Sequence, residues 1–427
     1  MKRDKLTKEE ISWSMYDFSS SAFTMLLTAI IPVYIKSVGH GFGVSDADST
    51  AQWGLVLSIS TLLLALFAPV IGAFADFRGN KKKIFSVFFA LSMVTLFAMI
   101  FVNDYYTLLI INFILQIGYA GTYIVYDAFL VDVTLEDRMH RVSSFGFASG
   151  YLGSCIPFVA GLAFILLQPF GMDSVTAVKI SFAITLGWWF FFSLPMIRNV
   201  RQKYYIEEKP KNVLRESLKN MAGTFKKITK DKNMAFFLLA FFFYIDGVNT
   251  IITMCTDFGA DVGIDTNSMI IALLFTQIVA AVFVLAFSRI LKTVPVKRVI
   301  MVCIVIFAGV SLAAFFMTQA WHFWVIAFVT AIALGAIQAL SRSYFARMIP
   351  DKTHNNEYFG FYNILTRYSS VLGPLIVALL TWATGASRFG ALGIMALFVV
   401  GFLIFSRIPS EVADQPHEAK LEEVPAE

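Results

Sequence analysis

SWSMYDFSSSAFTMLLTAIIPVYI, residues 12–35, is long and apolar enough to cross a bilayer as a helix, yet it carries one polar stripe. Asp17, Ser20, Ser21, Thr24 and Thr28 fall at i, i+3, i+4, i+7 and i+11, the spacing of a single helix face. The same five offsets recur in FFFYIDGVNTIITMCTDF, residues 241–258, as Asp246, Asn249, Thr250, Thr253 and Asp257. A tyrosine stands just ahead of each aspartate, Tyr16 in one stretch and Tyr244 in the other. One such stripe is ordinary, because Ser and Thr in membrane helices often bond their own backbone. Two matching stripes in distant stretches point to an internal repeat.

Around these stretches the chain is a succession of apolar runs, near 11–38, 51–75, 83–102, 105–130, 143–168, 175–197, 234–258, 268–291, 297–318, 321–346, 357–383 and 387–406. At roughly 20 residues per crossing, about twelve transmembrane helices use nearly the whole length and leave no room for a soluble domain. Of 427 residues 58% are apolar and 15% charged, whereas a water-soluble domain is nearer a quarter charged. Lipid therefore has to solvate most of the surface. The net charge of +5 is read loop by loop, and not as an affinity for nucleic acid. Loops at 77–83, 131–142, 198–233, 289–298 and 347–356 are basic, and those at 39–50, 103–104, 169–174, 259–267 and 319–320 contain no Lys or Arg. Strict alternation predicts an even number of spans with both termini in the cytoplasm. The N-terminal run is too long for a signal-peptide core, so the first span is expected to stay attached. Cys155, Cys255 and Cys303 all lie in apolar runs and read as buried hydrophobes.

The longest break, 198–233, divides the chain into an N-terminal six-helix half (1–197) and a C-terminal six-helix half (234–409), with a polar tail (410–427) that should be disordered. Within the break Leu214, Leu218, Met221, Phe225 and Ile228 recur at helical spacing among Lys and Arg, as in a helix lying on an anionic leaflet. The repeat extends to Phe-Gly-Phe at 145–147 and 359–361, an offset that His140 and His354 share, and Asp127 lies within one residue of matching Arg342. Two six-span halves in parallel repetition, with the solute path between them, is the plan of the major facilitator transporters.

The loop after the second span reads GAFADFRGNKKK, with Gly72, Asp76, Arg78, Gly79 and Lys81 to Lys83. It resembles the major facilitator signature of Gly, three residues, Asp, two residues, Gly and then basic residues, although Phe77 here precedes Arg78. Glycine permits a tight turn and close helix approach, and Asp76 is suited to meet a helix N-terminus or a base. SWSMYDFSSSAF (12–23), VYDAFLVDV (125–133), FFFYIDGVNTII (241–252), IQALSRSYFARMIP (337–350) and EYFGFYNILTRYSSVLGP (357–374) narrow the resemblance. Together they look like the UMF family of major facilitators, which includes the autophagy-related vacuolar amino-acid effluxers. The resemblance implies an all-α integral membrane protein with the major facilitator fold, two pseudo-symmetric halves and transport as its activity. Amino-acid efflux is implied for the eukaryotic relatives.

Ionisable groups inside a span are costly and mark a pathway or relay. Asp246 and Arg367 fall near the midplane, at 1.5 Å of rise per residue. Asp246, with Asp17, is expected to carry a coupling proton. Arg367 is expected to hold a solute carboxylate bidentately. Both charges together suit a zwitterion, although a self-neutralising structural pair would look the same. Asn249, Thr250, Gln338 and Asn363 supply neutral donors and acceptors, and Tyr16, Ser20, Tyr126 and Tyr244 complete the expected binding set. Gating is assigned to Gly72, Asp76, Arg78, Gly79, the Asp127–Arg342 pair, Gly373 and Pro374; Asp127 and Arg342 read equally well as substrate contacts.

The function expected is secondary active transport of a small polar or zwitterionic solute by alternating access, with H+ as the coupling ion, by a monomer in contact with membrane lipids. The compact chain suggests a bacterial cytoplasmic membrane. No Walker-type loop supports a primary pump. Scattered His residues and the lack of a Gly-x-Ser-x-Gly elbow speak against a lipid-modifying enzyme, and no metal or cofactor is expected. A solute sensor on the same fold and a lipid or drug exporter remain the alternatives.

Overall fold

A computed structural model describes residues 5–207, 213–261, 263–264, 266–291, 294–369, 372–384 and 388–409, with the side chains of some of these, Arg367 among them, outside the description. Nearly everything described is helical: α1 Lys8–Met25, α2 Ile31–Gly41, α3 Asp46–Ala75, α4 Asn80–Phe101, α5 Tyr105–Tyr126, α6 Phe129–Val133, α7 Met139–Leu167 and α8 Ser174–Asn199 in the first half. After α9 (Val213–Lys230) come α10 Lys232–Asp261, α11 Thr266–Ile290, α12 Val296–Phe315, α13 Ala320–Met348, α14 Asn355–Tyr368, α15 Leu372–Thr384 and α16 Arg388–Ser406.

Among the described residues ten helical stretches are long and apolar enough to span a membrane, and eleven when the bent α3 counts as one. The break in α3 falls at residue 65, whose carbonyl loses its i+4 donor because Pro69 has no N–H. In the first span a π-helical turn, Leu26–Ile30, joins α1 to α2 just ahead of Pro32, whose missing N–H removes the α-helical bond to Thr28. The run expected at 357–383 is described as α14 and α15, and residues 370–371 between them lie outside the described residues. Glu357, Asn363 and Thr366 make α14 too polar to register as an apolar span.

The two halves repeat their neighbour relations. In the first, α1 packs on α7 and α8, α5 on α3 and α4, and α4 on α8; in the second, α10 packs on α14, α15 and α16, α13 on α11 and α12, and α12 on α16. The halves meet along α3 with α14 and along α7 with α11, two contacts that a two-fold rotation exchanges. Large apolar side chains stand exposed around the outside, Leu66, Val87, Phe97, Ile110, Phe191 and Trp382 among them. A water-soluble monomer does not present such a surface, and a bilayer satisfies it. The protein is a multi-pass membrane protein.

Glycine sets the closest approaches between helices. A Cβ on Gly72 would strike the backbone of Asn356, and one on Gly360 would come within 2.8 Å of Pro69, so α3 and α14 touch backbone to backbone. Gly146, which occupies the repeat position of Gly360, lies against α1 and would crowd Asp17 Oδ2 at 2.7 Å.

Candidate functional site

A cavity of about 480 Å³ lies between the halves, of a size that suits a small solute. Its walls come from α1 (Asp17, Ser21, Thr24), α5 (Tyr119, Tyr123) with Asp127 just beyond it, α7 (Phe147, Tyr151), α10 (Asn249), α13 (Gln338, Arg342) and α14 (Tyr362, Asn363). Five of the residues singled out from sequence as site or gate candidates therefore share one wall: Asp17, Asn249, Gln338, Asn363 and Asp127, together with Arg342 as a sixth. Phenol and hydroxyl groups bond one another around it, Tyr119 with Thr24 at 2.7 Å, Tyr123 with Ser20 at 2.9 Å, and Tyr151 donating to Gln338 at 2.9 Å.

The floor of the cavity is a charge cluster spanning both halves. Arg342, on α13 of the second half, is 2% exposed. Its Nη1 donates to Asp127 Oδ1 at 3.1 Å, its Nη2 to Asp17 Oδ2 at 3.3 Å and to the Ser143 carbonyl at 3.3 Å, and its Nε to Ser143 Oγ at 3.0 Å. The rings of Trp13 and Phe147 lie 4.7 and 4.3 Å from the guanidinium carbon, within cation–π range. Burying a cation is tolerable only with such partners. Among the described residues, the guanidinium thus bonds two carboxylates of the first half, Asp17 on α1 and Asp127 just beyond α5.

Other residues singled out from sequence lie beside the cavity. Tyr16 donates to Thr122 at 2.5 Å, Ser20 lies behind Tyr123, and Tyr126 stacks on Trp13 at 4.9 Å and donates to its carbonyl. Tyr244 bonds Ser341 at 2.6 Å. Asp246 does not belong to the cavity wall among the described residues. Both its carboxylate oxygens accept the Gly373 N–H, each at 3.0 Å, which places it as a cap on the N-terminus of α15. Thr250 donates to the Asp246 carbonyl and lies where a Cβ on Gly373 would go. Gly373 and Pro374 thus open α15 under this aspartate. The Arg367 side chain lies outside the described residues, as do those of Asp257 and Cys255.

The face carrying the basic loops is closed by bonds between the halves. Asp76 accepts the Asn356 N–H at 3.0 Å, the Asn356 side-chain amide at 2.6 Å and the Glu357 N–H at 3.2 Å, so it caps the N-terminus of α14. Lys81, fully buried, bridges Asp132 at 2.6 Å and Asn355 at 2.9 Å. Gly79, at φ +73, turns the chain into α4. Arg78 lies over the Tyr205 ring at 5.3 Å, which supplies the partner that the altered order of the signature left open. Glu136 pairs with Lys352 at 2.5 Å, and His140 lies between Ser343 at 2.8 Å and Arg347 at 2.9 Å.

Glu357 accepts from Thr224 of α9 and faces His354 at 3.1 Å. Together with Asp76 these groups bring three potential ligand atoms within 4.8 Å of one another, a grouping invisible in the sequence. Each is already engaged by protein groups, Asp76 and Glu357 as acceptors and His354 facing the carboxylates of Glu357 and Asp351, which makes the trio a hydrogen-bonded clamp. Burial, and then the Glu357 charge, push the Asp76 carboxyl up to about 8 despite its three N–H donors. The hydrogen bond to Glu357 raises His354 above its ordinary value.

Trp13, Ser143, Phe147, Tyr119, Tyr123, Tyr151 and Glu357 were not picked out as site residues by sequence reasoning. Tyr119, Tyr123 and Asp127 stand at i, i+4 and i+8, a stripe in the fourth span that the same periodicity test finds.

The model of the family "Vacuole effluxer Atg22 like" matches residues 46–417. Over 415 residues, 96% of each chain, the sequence is 42% identical to the "Uncharacterized MFS-type transporter YxiO" of Bacillus subtilis (strain 168). It is 21% identical over 507 residues to autophagy-related protein 22 of Vanderwaltozyma polyspora, covering 99% of this chain and 95% of that protein. Among solved structures, the human organic anion transporter MFSD10 superposes with a TM-score of 0.76 at 12% identity, covering 94% of this chain and all of that one. The major facilitator transporter FucP in its outward conformation gives 0.72 at 13% identity, covering 94% of this chain and 98% of that one. These relatives and neighbours are transporters and not enzymes, and with the match running from the second span through the last, the chain belongs to the Atg22-like effluxer family and has the major facilitator fold.

Proposed function

We propose that the protein is a proton-coupled secondary transporter that moves a small polar solute bearing a basic nitrogen, an amino acid or amine, through the central cavity by alternating access. The observation that carries this reading is the cluster of Asp17, Asp127 and Arg342, which joins the two halves at the cavity floor. Rocking one half against the other has to break these bonds, so the charge state of the cluster and the opening of that face are linked. A proton on Asp17 weakens its bond to Arg342 while Arg342 keeps its bond to Asp127.

Closure by Asp76, Lys81 and Glu136 on the basic-loop face supports a state open to the opposite side. Basic loops belong in the cytoplasm. The conformation is then outward-facing, both termini are cytoplasmic, and the membrane is the bacterial cytoplasmic one; the protein acts as a monomer. The exposed apolar side of α9, with Leu218 and Phe225, suits the inner leaflet beside that face.

Purified protein in proteoliposomes tests the reading. An imposed pH gradient should drive flux of a labelled amino acid or amine, and Asp17→Asn should remove the dependence on the gradient while the protein stays folded. Flux that ignores the gradient in the unaltered protein rules out proton coupling, and no flux of any such solute rules out transport of this class.

A further inference from the structure

We infer that a groove between α3, α4 and α9 binds one anionic phospholipid of the leaflet on the basic-loop side, and that this lipid holds α9 where it keeps that face closed. The site lies outside the central cavity and does not depend on what the cavity carries.

The groove has a volume of about 490 Å³ and lies beside the loop at 76–79 that joins α3 to α4. Val70 and Phe74, one turn apart on α3, and Ile84 and Val87 on α4 give it apolar walls. Phe74 and Val87 remain exposed, so the groove is open on the side that needs lipid to cover it.

Among the described residues two polar groups interrupt this lining, Lys83 and Ser217. Lys83 is exposed at the loop end and forms no bond to a described acceptor, whereas Asp132 and Asn355 engage Lys81 and the Val200 carbonyl engages Lys82. No side chain caps the start of α4 here, so the helix dipole adds to the Lys83 charge. Ser217, on α9, is fully buried and its hydroxyl has no hydrogen-bond partner. Leaving a buried hydroxyl unpaired is unfavourable, and a ligand oxygen that accepts from it relieves this. A cation, an unsatisfied hydroxyl and long apolar walls suit a phosphodiester headgroup followed by an acyl chain. The phosphate meets Lys83, an ester or phosphate oxygen accepts from Ser217, and one chain lies between Phe74 and Val87. Residues 208–212 ahead of α9, Glu-Lys-Pro-Lys-Asn, offer no large apolar side chain to fill the groove instead.

Through α9 the groove is connected to the closed face. Ser217 and Thr224 are two turns apart on one side of that helix. Thr224 donates to Glu357, and Phe225 lies 5.8 Å from Phe361, both on α14 of the second half. α9 therefore bridges α3 of the first half and α14 of the second. Opening the face parts α3 from α14, so α9 has to leave one of them. A lipid that fills the space between α9 and the first half strengthens one attachment of this bridge and favours the closed state.

Native mass spectrometry of the full-length protein in detergent, titrated with palmitoyl-oleoyl phosphatidylglycerol or with the phosphatidylcholine of the same chains, tests the inference. One phosphatidylglycerol should bind on the order of tenfold tighter than phosphatidylcholine. Lys83→Gln should remove that preference, whereas Lys226→Gln, at an exposed lysine of α9 that does not line the groove, should leave it. Val87→Trp, which fills the groove without altering charge, should weaken binding of both lipids. Bound phosphatidylglycerol should also raise hydrogen-exchange protection of the Asn356 and Glu357 amides in the unaltered protein and not in Lys83→Gln. Equal binding of the two lipids, a preference that survives Lys83→Gln, or one that both lysine variants lose alike overturns the site. So does competition by glycerophosphoglycerol, the headgroup without its chains, or a lipid-free dimer, which would put a second copy in the groove. Selective binding that leaves both amides unchanged overturns the hold on the closed face.

Discussion

Asp17 and Asp246 begin the same polar stripe in the two halves, and the fold gives them different partners. Asp17 meets the Arg342 guanidinium at 3.3 Å and faces the cavity. Asp246 meets the Gly373 N–H at 3.0 Å and closes the start of α15. The difference comes from the neighbour of each first helix. α1 packs on the unbroken α7, whose Gly146 leaves room for an arginine to reach across from α13, while α10 packs beside the start of α15, where a helix N-terminus needs an acceptor. An internal repeat conserves where a residue sits on its helix; what it touches depends on the half it faces.

Asp17→Asn should have the largest effect. The substitution leaves Arg342 bonded to Asp127 and Ser143, so the melting temperature should stay within about 2 °C, while gradient-driven flux in proteoliposomes falls to background. Undiminished coupled flux would return the coupling role to Asp246 and reverse the comparison. Arg342→Gln comes next, because it removes the guanidinium that two buried carboxylates bond. Removing one member of a buried ion pair costs roughly 3–5 kcal/mol, which should appear as poor folding yield and early thermal unfolding. Adding Asp17→Asn and Asp127→Asn to that variant should restore much of the stability without restoring flux. Failure of the triple variant to recover would mean that the lost stability lies in packing against Trp13 and Phe147 instead of in charge.

Much of this arrangement was legible in the chain itself. The stripes on spans 1 and 7 follow from helical periodicity, and the near-equivalent positions of Asp127 and Arg342 already suggested that they pair. The partners that decide each role were not legible, since they come from other spans. Asp76 and Glu357 are 281 residues apart and become neighbours because Gly72 and Gly360 let α3 and α14 touch. The Arg342 site depends on Trp13 and Phe147, which the sequence marks by motif and repeat but not as partners of an arginine on α13. Gly373 and Pro374 read as gating residues from the sequence, and the Gly373 N–H that Asp246 accepts could not be read there. Spacing along one helix is local information, and a charge partner across the interface is not.

Asp76 extends the comparison: like Asp246 it caps a helix N-terminus, this time across the halves. Its carboxyl sits near 8 and His354 is also raised. Each raised group stabilises the clamp below its ordinary value and loses that contribution as pH rises through its value in the folded protein. For Asp76 the contribution is complete below about 4 and fades up to about 8; for His354 it is complete below about 6.5. Both signs agree, so the basic-loop face should open more readily as pH on that side rises. Hydrogen exchange at the Asn356 and Glu357 amides, corrected for intrinsic rate, should show protection falling from about pH 4 to about pH 8, with a smaller change in Asp76→Asn. A flat profile in the unaltered protein would mean that the three N–H donors hold Asp76 ionised throughout.

Asp246→Asn should be the mildest of these changes, and it is the sharpest test of the comparison. If Asp246 is a cap, the amide oxygen still accepts the Gly373 N–H, and the loss is the interaction between a full negative charge and the α15 dipole, on the order of 1 kcal/mol. The melting temperature should drop by roughly 1–3 °C, and flux, dependence on the pH gradient and solute affinity should persist. Asp246→Ala removes the acceptor altogether and should cost more, within the roughly 0.5–2 kcal/mol typical of a lost cap, again with coupling intact. Loss of gradient dependence in the folded Asp246→Asn protein would show that the two stripes share a function as well as a position. Stability and coupling thus move separately in the two aspartates if partners assign their roles, and together if the repeat does.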